Sequence, residues 1–395
     1  LETNRPLKNR FLKIISDYRI VFAVYIIITA FSAFSKWKRG TGGYNNYLIF
    51  KGVFQNTVKQ KNIFLQYPDM FFDSNHYGVF FSVLIAPFAI MPDWLGAVLW
   101  NVANAAVFLF AVYKLPLSSR KKAFFAWLCL QEFITAALYF QFNIALTGLL
   151  MLSAVYIYER KETQSAIAIL IGTFVKIYGI VGLSAFFFIR NKWKFILSMI
   201  GFSVLFFVLP MLISSPHFGI NSYADWYYSL SEKNLSNQVL GNRQDYSLMG
   251  VIRRILGRAD ISNLVFMVPG FIIFMLPYLR TKQYKNWAFQ LMILASTLLF
   301  VVLFSSGSES PTYIIAMAGV VLWFLLQKKY TKWDIGLLIF VMIFTCFAFS
   351  DLFPKWIKEE VFIKYSTKAI PCIIVWFRVI YELLTKDFEK DYQLD

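Results

Sequence analysis

Apolar runs recur along the whole of this 395-residue chain, broken only by short polar stretches, and that repetition leaves few folds open. Read by hydropathy, the runs fall at roughly 18–35, 78–92, 94–113, 123–139, 142–158, 163–178, 179–190, 194–213, 262–280, 286–304, 311–327, 333–350 and 368–385. Hydrophobic residues make up 58% of the chain and charged residues 15%, where a soluble domain carries about 25% charge. Such a chain lives in a bilayer, where only helices and closed barrels satisfy their own backbone groups. Barrel strands alternate apolar and polar residues, and a run such as Ala166-Ile167-Ala168-Ile169-Leu170-Ile171 does not. The expected fold is an all-α polytopic membrane protein, one integral domain over 1–395. The first apolar run is long enough to span, so it reads as a helix and not as a cleavable signal peptide.

The net charge of +17 would suggest nucleic acid in a soluble chain. Here the basic residues gather in short loops: Lys8/Arg10/Lys13, Lys114/Arg120/Lys121/Lys122, Arg160/Lys161, Arg190/Lys192/Lys194, Arg280/Lys282/Lys285 and Lys328/Lys329/Lys332. Membrane lipid headgroups are the partner this implies, with no nucleic acid. Lys/Arg-rich loops face the cytoplasm. Placing all six on that side forces the short run 78–92 to be re-entrant or interfacial. It also forces 163–190 to be a hairpin of two short halves, broken near Lys176-Ile177-Tyr178-Gly179. About twelve crossings follow (roughly eleven to thirteen), with both termini cytoplasmic.

Every polar cluster then lands on the outer face. One is the loop 36–77, whose stretch 48–58 has the spacing of an amphipathic surface helix. Another is the long loop 214–261, and the rest are Gln141/Asn143, Lys176 and Ser305-Ser306-Gly307-Ser308-Glu309-Ser310-Pro311-Thr312-Tyr313. An ionised Glu309 in hydrocarbon would cost about 2.5–3.5 kcal/mol, so this last cluster belongs at a surface or in a wet cavity. Asp69 and Asp73 are the acids of the first loop, and either carboxylate could deprotonate a hydroxyl. The second loop mixes Trp226-Tyr227-Tyr228 with Asn242-Arg243-Gln244-Asp245, and aromatic faces beside amides suit sugars while Arg suits phosphate. Lys176 is a cation for a lipid phosphate or a snorkelling side chain. Glu132 reads as a helix-to-helix hydrogen bond. Cys129, Cys346 and Cys372 have no paired spacing, and the two histidines, His76 and His217, form no ligand pattern, so no metal or cofactor is expected.

Taken in order, these motifs resemble glycosyltransferase family 87, the polyprenol-phosphate-sugar-dependent enzymes of the GT-C membrane fold. The resemblance rests on Tyr44-Asn45-Asn46-Tyr47-Leu48-Ile49-Phe50, Tyr67-Pro68 with Asp73 through Tyr77, and Ala86-Pro87-Phe88-Ala89 before Met91-Pro92. It continues through Gln141-Phe142-Asn143, Lys176-Ile177-Tyr178, Asn242-Arg243-Gln244 with Ser247-Leu248-Met249-Gly250, and Ser308 to Tyr313. The family implies a sugar, commonly mannose, carried on a polyprenyl phosphate. It implies inverting transfer to a lipid-linked or glycan acceptor on the non-cytoplasmic side, here the periplasmic side of a bacterial inner membrane. It also implies a catalytic acid early in the first outer loop, where this chain has Asn45. An amide accepts no proton, so Asp73 takes the role, with Glu309 second. Lys176, Arg243 and His76 are the candidates for the phosphate. Asn45, Asn46, Tyr77, Gln141, Asn143, Gln244, Ser308 and Tyr313 are those for sugar or acceptor. Two rival readings stand beside this one: a lipid or glycan flippase, which the lack of an internal repeat disfavours, and a non-catalytic relative that binds a lipid-linked sugar.

Overall fold

The computed structural model describes residues 15–240 and 244–394. Among them there is no β-strand; the chain is helical, with one isolated antiparallel bridge between Gln327 and Tyr392. The helices are α1 (Tyr18–Lys38), α2 (Asn45–Val58), α3 (Phe81–Ala89), α4 (Asp93–Lys114), α5 (Ser119–Leu138), α6 (Asn143–Tyr158), α7 (Glu162–Val175) and α8 (Lys192–Val208). They continue as α9 (Pro216–Asn237), α10 (Leu248–Leu256), α11 (Leu264–Met275), α12 (Trp287–Leu303), α13 (Tyr313–Leu326), α14 (Lys332–Val341) and α15 (Ile370–Thr385). Among the described residues, three stretches are long and apolar enough to cross a membrane: α1, α4, and α8 with its continuation to Ile213. Six shorter apolar helices accompany them.

Burial sorts the helices into inner and outer sets. In α12, 15 of 17 residues are buried, and in α13 13 of 14. These two pack together, against α15 and, through α13, against α5. A helix apolar all round must be enclosed or face lipid, and these two are enclosed. In α8 and α11 only Phe195 and Phe206, and Gly270 and Phe274, are buried, so their Leu, Ile and Val side chains are left to the bilayer.

The run 78–92 holds only the nine-residue α3, about 14 Å long, too short to span. The run 163–190 is a hairpin. Helix α7 stops at Lys176, and a 3₁₀ segment, Ile177–Phe188, runs back along it. Gly179 makes that return possible: a Cβ there would strike the backbone of Gly172 and Thr173. Two further stretches differ from the sequence reading. Stretch 48–58 belongs to α2, which is not a free surface helix; Tyr47, Ile49, Phe50, Val53 and Asn56 are buried, and α3 packs on it. The segment 214–261, read as a loop, folds mostly into α9 and α10.

Helices α5, α7, α12 and α13 each join a basic loop at one end to a polar cluster at the other. At the basic end, Lys114 and Lys161 bond Glu159, and Lys194 pairs with Glu162. There the C-terminal tail is tied in by Lys121 to the Gln393 carbonyl and Arg280 to the Lys386 carbonyl. The opposite ends of the same helices converge on a cavity.

Candidate functional site

The cavity has a volume of about 1180 Å³. Its lining draws on segments far apart in sequence: Asp73 to Tyr77, Gln141, Lys176 to Tyr178, Lys233, Asn237, Gln244 and Glu309 all face it. Such a volume exceeds what a drug-sized ligand needs, roughly 300–1,000 Å³, so two headgroups fit.

Asp73 sits on a left-handed backbone, φ +74°, which Asp adopts more readily than most residues but at some cost. A clamp holds it there. Asn45, at the start of α2, donates from Nδ2 to the Phe72 carbonyl and accepts at Oδ1 from the Phe72 N–H, both at 2.7 Å. Only a side chain with both donor and acceptor makes that pair. The Asp73 carboxylate, which accepts from the Ser74 N–H, stays exposed at the cavity. Asn45 thus lies outside the lining and fixes the residue that carries the acid.

Residues 75–78 are locked in turn. Asn75 bonds both the N–H and the carbonyl of Tyr77, and Trp226 Nε1 donates to the His76 carbonyl. Gly78 donates to the Val175 carbonyl at 3.1 Å, and a Cβ at 78 would strike the Phe174 carbonyl and the Trp226 ring. His76 Nδ1 lies 2.9 Å from Ser229 Oγ. Burial, then the nearby Lys233 ammonium, push its pKa down to about 4, against a pull from Asp73. At neutral pH the imidazole is uncharged and offers a phosphate a hydrogen bond but no cation.

Lys176, at the break of the hairpin, donates to Asn143 Oδ1 at 2.8 Å and lies 4.9 Å from the centre of the Tyr178 ring. Its ammonium pairs with no carboxylate among the described residues, nor does that of Lys233. Glu309 also faces the cavity without an ion pair among the described residues, on the turn before α13, its N–H donating to Thr312 Oγ1. Of the other acids nearby, Asp245 is bonded by Ser247 and by Arg253 at 2.9 Å, which leaves it a structural role, and Glu359, also in the lining, pairs with Lys355.

Of the residues read from sequence, Asp73, Glu309, Lys176, His76, Asn46, Tyr77, Gln141 and Gln244 line the cavity. Asn46 donates to the Tyr139 carbonyl, and the Tyr77 hydroxyl donates to Gln141 Oε1 at 3.1 Å. Asn143, Ser308 and Tyr313 lie beneath the lining. Asn143 bonds the Pro311 carbonyl and Lys176, Ser308 Oγ the Val302 carbonyl, and the Tyr313 hydroxyl the Tyr246 carbonyl. All three support the wall because burial obliges their polar atoms to find protein partners. Arg243 lies outside the described residues. Sequence reading passed over Lys233, Asn237, Lys355, Lys358 and Lys368, which also line the cavity. Lys368 is buried against Glu132, 2.9 Å away, and also bonds Ser310, so Glu132 does have a helix-to-helix partner. No group of three His, Cys, Asp or Glu side chains placed to hold a metal lies among the described residues.

Residues 75–306, more than half of the chain, match the model of glycosyltransferase family 87. The chain belongs to that family and is a glycosyltransferase. No curated protein matches it. Among solved structures it is similar to ArnT from Cupriavidus metallidurans bound to undecaprenyl phosphate, at 13% identity over 93% of this chain and 76% of that one, with a TM-score of 0.48. The family match takes in Lys176 and Gln244 but stops short of Asp73 and Glu309 on either side. The choice of base therefore rests on the cavity itself.

Proposed function

We propose that this glycosyltransferase, of GT-C type, moves a hexose from a polyprenyl-phosphate donor to a lipid-linked or glycan acceptor, with inversion. The observation that carries the reading is the cavity, which sets an exposed carboxylate, Asp73, and two ammonium groups without carboxylate partners, Lys176 and Lys233, into one space. The acceptor hydroxyl attacks the anomeric carbon while Asp73 takes its proton. The new C–O bond forms as the bond to the phosphate oxygen breaks, and the polyprenyl phosphate leaves with the electron pair. It needs no proton, only fixed positive charge, which Lys176 and Lys233 supply. A donor soluble in lipid suits a protein whose outer helices, α8 and α11, show apolar faces to the bilayer. The mouth of the cavity lies opposite the basic loops, so the positive-inside rule puts the chemistry on the periplasmic side of a bacterial inner membrane, with both termini cytoplasmic. Mannose is the sugar this reading favours, following the family.

The test is a transfer assay on the full chain in lipid. Polyprenyl phosphates bearing different hexoses are offered with lipid-linked glycans, and products are read by mass. The expected result is a gain of one hexose that falls by about 10²–10⁴-fold in Asp73→Asn while donor binding persists. Full transfer by Asp73→Asn would remove Asp73 as the base.

A further inference from the structure

A buried polar side chain in the cavity wall lacks a partner among the described residues. Asn237, the last residue of α9, is 2% exposed. Its Oδ1 is buried without a hydrogen bond, and its Nδ2 makes none with any described residue. Yet it lines the cavity. Asn234, one turn earlier on the same helix, shows what a structural amide does here: its Oδ1 accepts from Ser306 Oγ at 2.6 Å and from Asn263 Nδ2 at 2.9 Å. Native proteins pair nearly all such buried groups, because an unmet one costs about 1–3 kcal/mol. An amide left free in the wall of a binding cavity is therefore kept for what enters.

The surroundings say which part of the ligand it meets. Across from Asn237 is Gly307, where a Cβ would stand 3.8 Å from Asn237 Nδ2 and 2.6 Å from Tyr178 Oη. Without a side chain, Gly307 lets the Tyr178 hydroxyl approach its backbone closely, and Asn237, Gly307 and Tyr178 together form a small polar lobe of the cavity wall. The Tyr178 hydroxyl is bonded to Ser305 Oγ at 2.5 Å, and its ring lies beside the Lys176 ammonium. With the donor phosphate at Lys176, the sugar bonded to that phosphate falls within reach of this lobe. The buried Oε1 of Gln244, also without a partner, adds a second acceptor to the same wall.

We infer that Asn237 reads a hydroxyl of the transferred sugar and helps to set which sugar is accepted. The inference rests on the donor reading above, with Lys176 at the phosphate. A carboxamide both donates and accepts, so it suits a sugar hydroxyl, which does the same. A site built around such a bond discriminates strongly against an analogue that lacks the hydroxyl, because the protein group is then left unmet.

The test uses the full chain in lipid and a polyprenyl-phosphate hexose that the parent turns over, together with its monodeoxy analogues. In the parent, one monodeoxy analogue should lose about tenfold or more in kcat/KM, the worth of one well-made hydrogen bond. In Asn237→Leu, the natural sugar should fall to the level of that analogue, so the ratio between them closes to near one. The melting temperature gives the second reading. Replacing an unpartnered buried amide by an apolar side chain of similar shape leaves the fold as stable or makes it more so. Lost discrimination with an unchanged or raised melting temperature supports the assignment. Unchanged discrimination in Asn237→Leu overturns it, as does a lower melting temperature with the parent's sugar preference intact. Asn237→Ala repeats the measurement without the bulk of Leu. If the parent itself transfers no polyprenyl-linked sugar, the proposed function fails and this inference falls with it; if the parent transfers and only the discrimination survives the substitution, the inference alone fails.

Discussion

At the basic end of the bundle, Lys114 and Lys161 share Glu159, Lys194 reaches Glu162, and Arg378 reaches both Glu382 and Asp334. At the cavity end, Lys176, Lys233 and Glu309 face one space and none closes an ion pair with a described residue. The same residue types do different work at the two ends. Paired charges bind short loops to one another. Unpaired charges, partly withdrawn from water, cost stability and persist only where something else gains from them. Lys368 and Glu132 show that the cavity end can pair charges where structure needs it: that pair is fully buried and anchors Ser310, next to Glu309.

The sharpest way to break this comparison is at Lys176. In Lys176→Gln the amide can still donate to Asn143, so the wall keeps its hydrogen bond and loses only the charge. Transfer should fall by about 10²–10³-fold, the usual cost of removing one donor aimed at developing charge. The melting temperature should hold or rise, since a half-buried charge without a counter-ion is gone. A variant that melts lower yet transfers at the parent's rate would make Lys176 a structural cation like those of the other end.

How much of this was legible in the sequence follows from contrast. Lys176, Gln141 and Glu309 stand out because apolar residues flank them in the chain, and charge in the short loops implies the hairpin broken at Lys176. The same parity argument makes 78–92 less than a full crossing, and the run holds only the nine-residue α3. Lys233, Lys355 and Lys358 were missed because they lie in polar stretches, where a lysine that faces a cavity looks like one that faces water. Asn45, Asn143, Ser308 and Tyr313 were read as sugar or acceptor contacts, but sequence cannot say whether an amide or hydroxyl points at a ligand or at a backbone carbonyl. Only the fold shows Asn45 turned onto Phe72 and Asn143 turned under Lys176. Nor does spacing pair Glu132 with Lys368, 236 residues away.

His76 sharpens the comparison with a smaller effect, because it is a potential cation at the cavity end that the protein keeps neutral. Its pKa is about 4 in the fold against about 6.5 in an unfolded chain. Between those values the unfolded chain binds the proton and the native one does not, so stability rises with pH across the window and falls as acid is added from about 6.5 towards 4. His76→Gln keeps a partner for Ser229 and removes the titration. Melts of parent and variant from pH 7 to pH 4 should show a shallower acid loss in the variant. Equal slopes would mean that His76 is protonated as readily in the fold as in solution, and so is free to act as a phosphate cation.

The smallest effect belongs to the basic end. Glu159 is about a quarter exposed, as is Lys114, and Lys161 more so, at 26%, 27% and 44%. Partly exposed pairs are screened by water and salt and are worth about 0–1 kcal/mol. Glu159→Gln should therefore lower stability by at most about 1 kcal/mol, less at high salt, and leave transfer untouched. The value of so mild a variant is that it tests the comparison from the other side. Helix α6 runs from Asn143, under Lys176, to Tyr158, next to Glu159, a rise of about 24 Å. If Glu159→Gln depressed transfer as Lys176→Gln does, the two ends would be coupled along that helix, and the division between charges that hold the fold and charges that wait for a ligand would not stand.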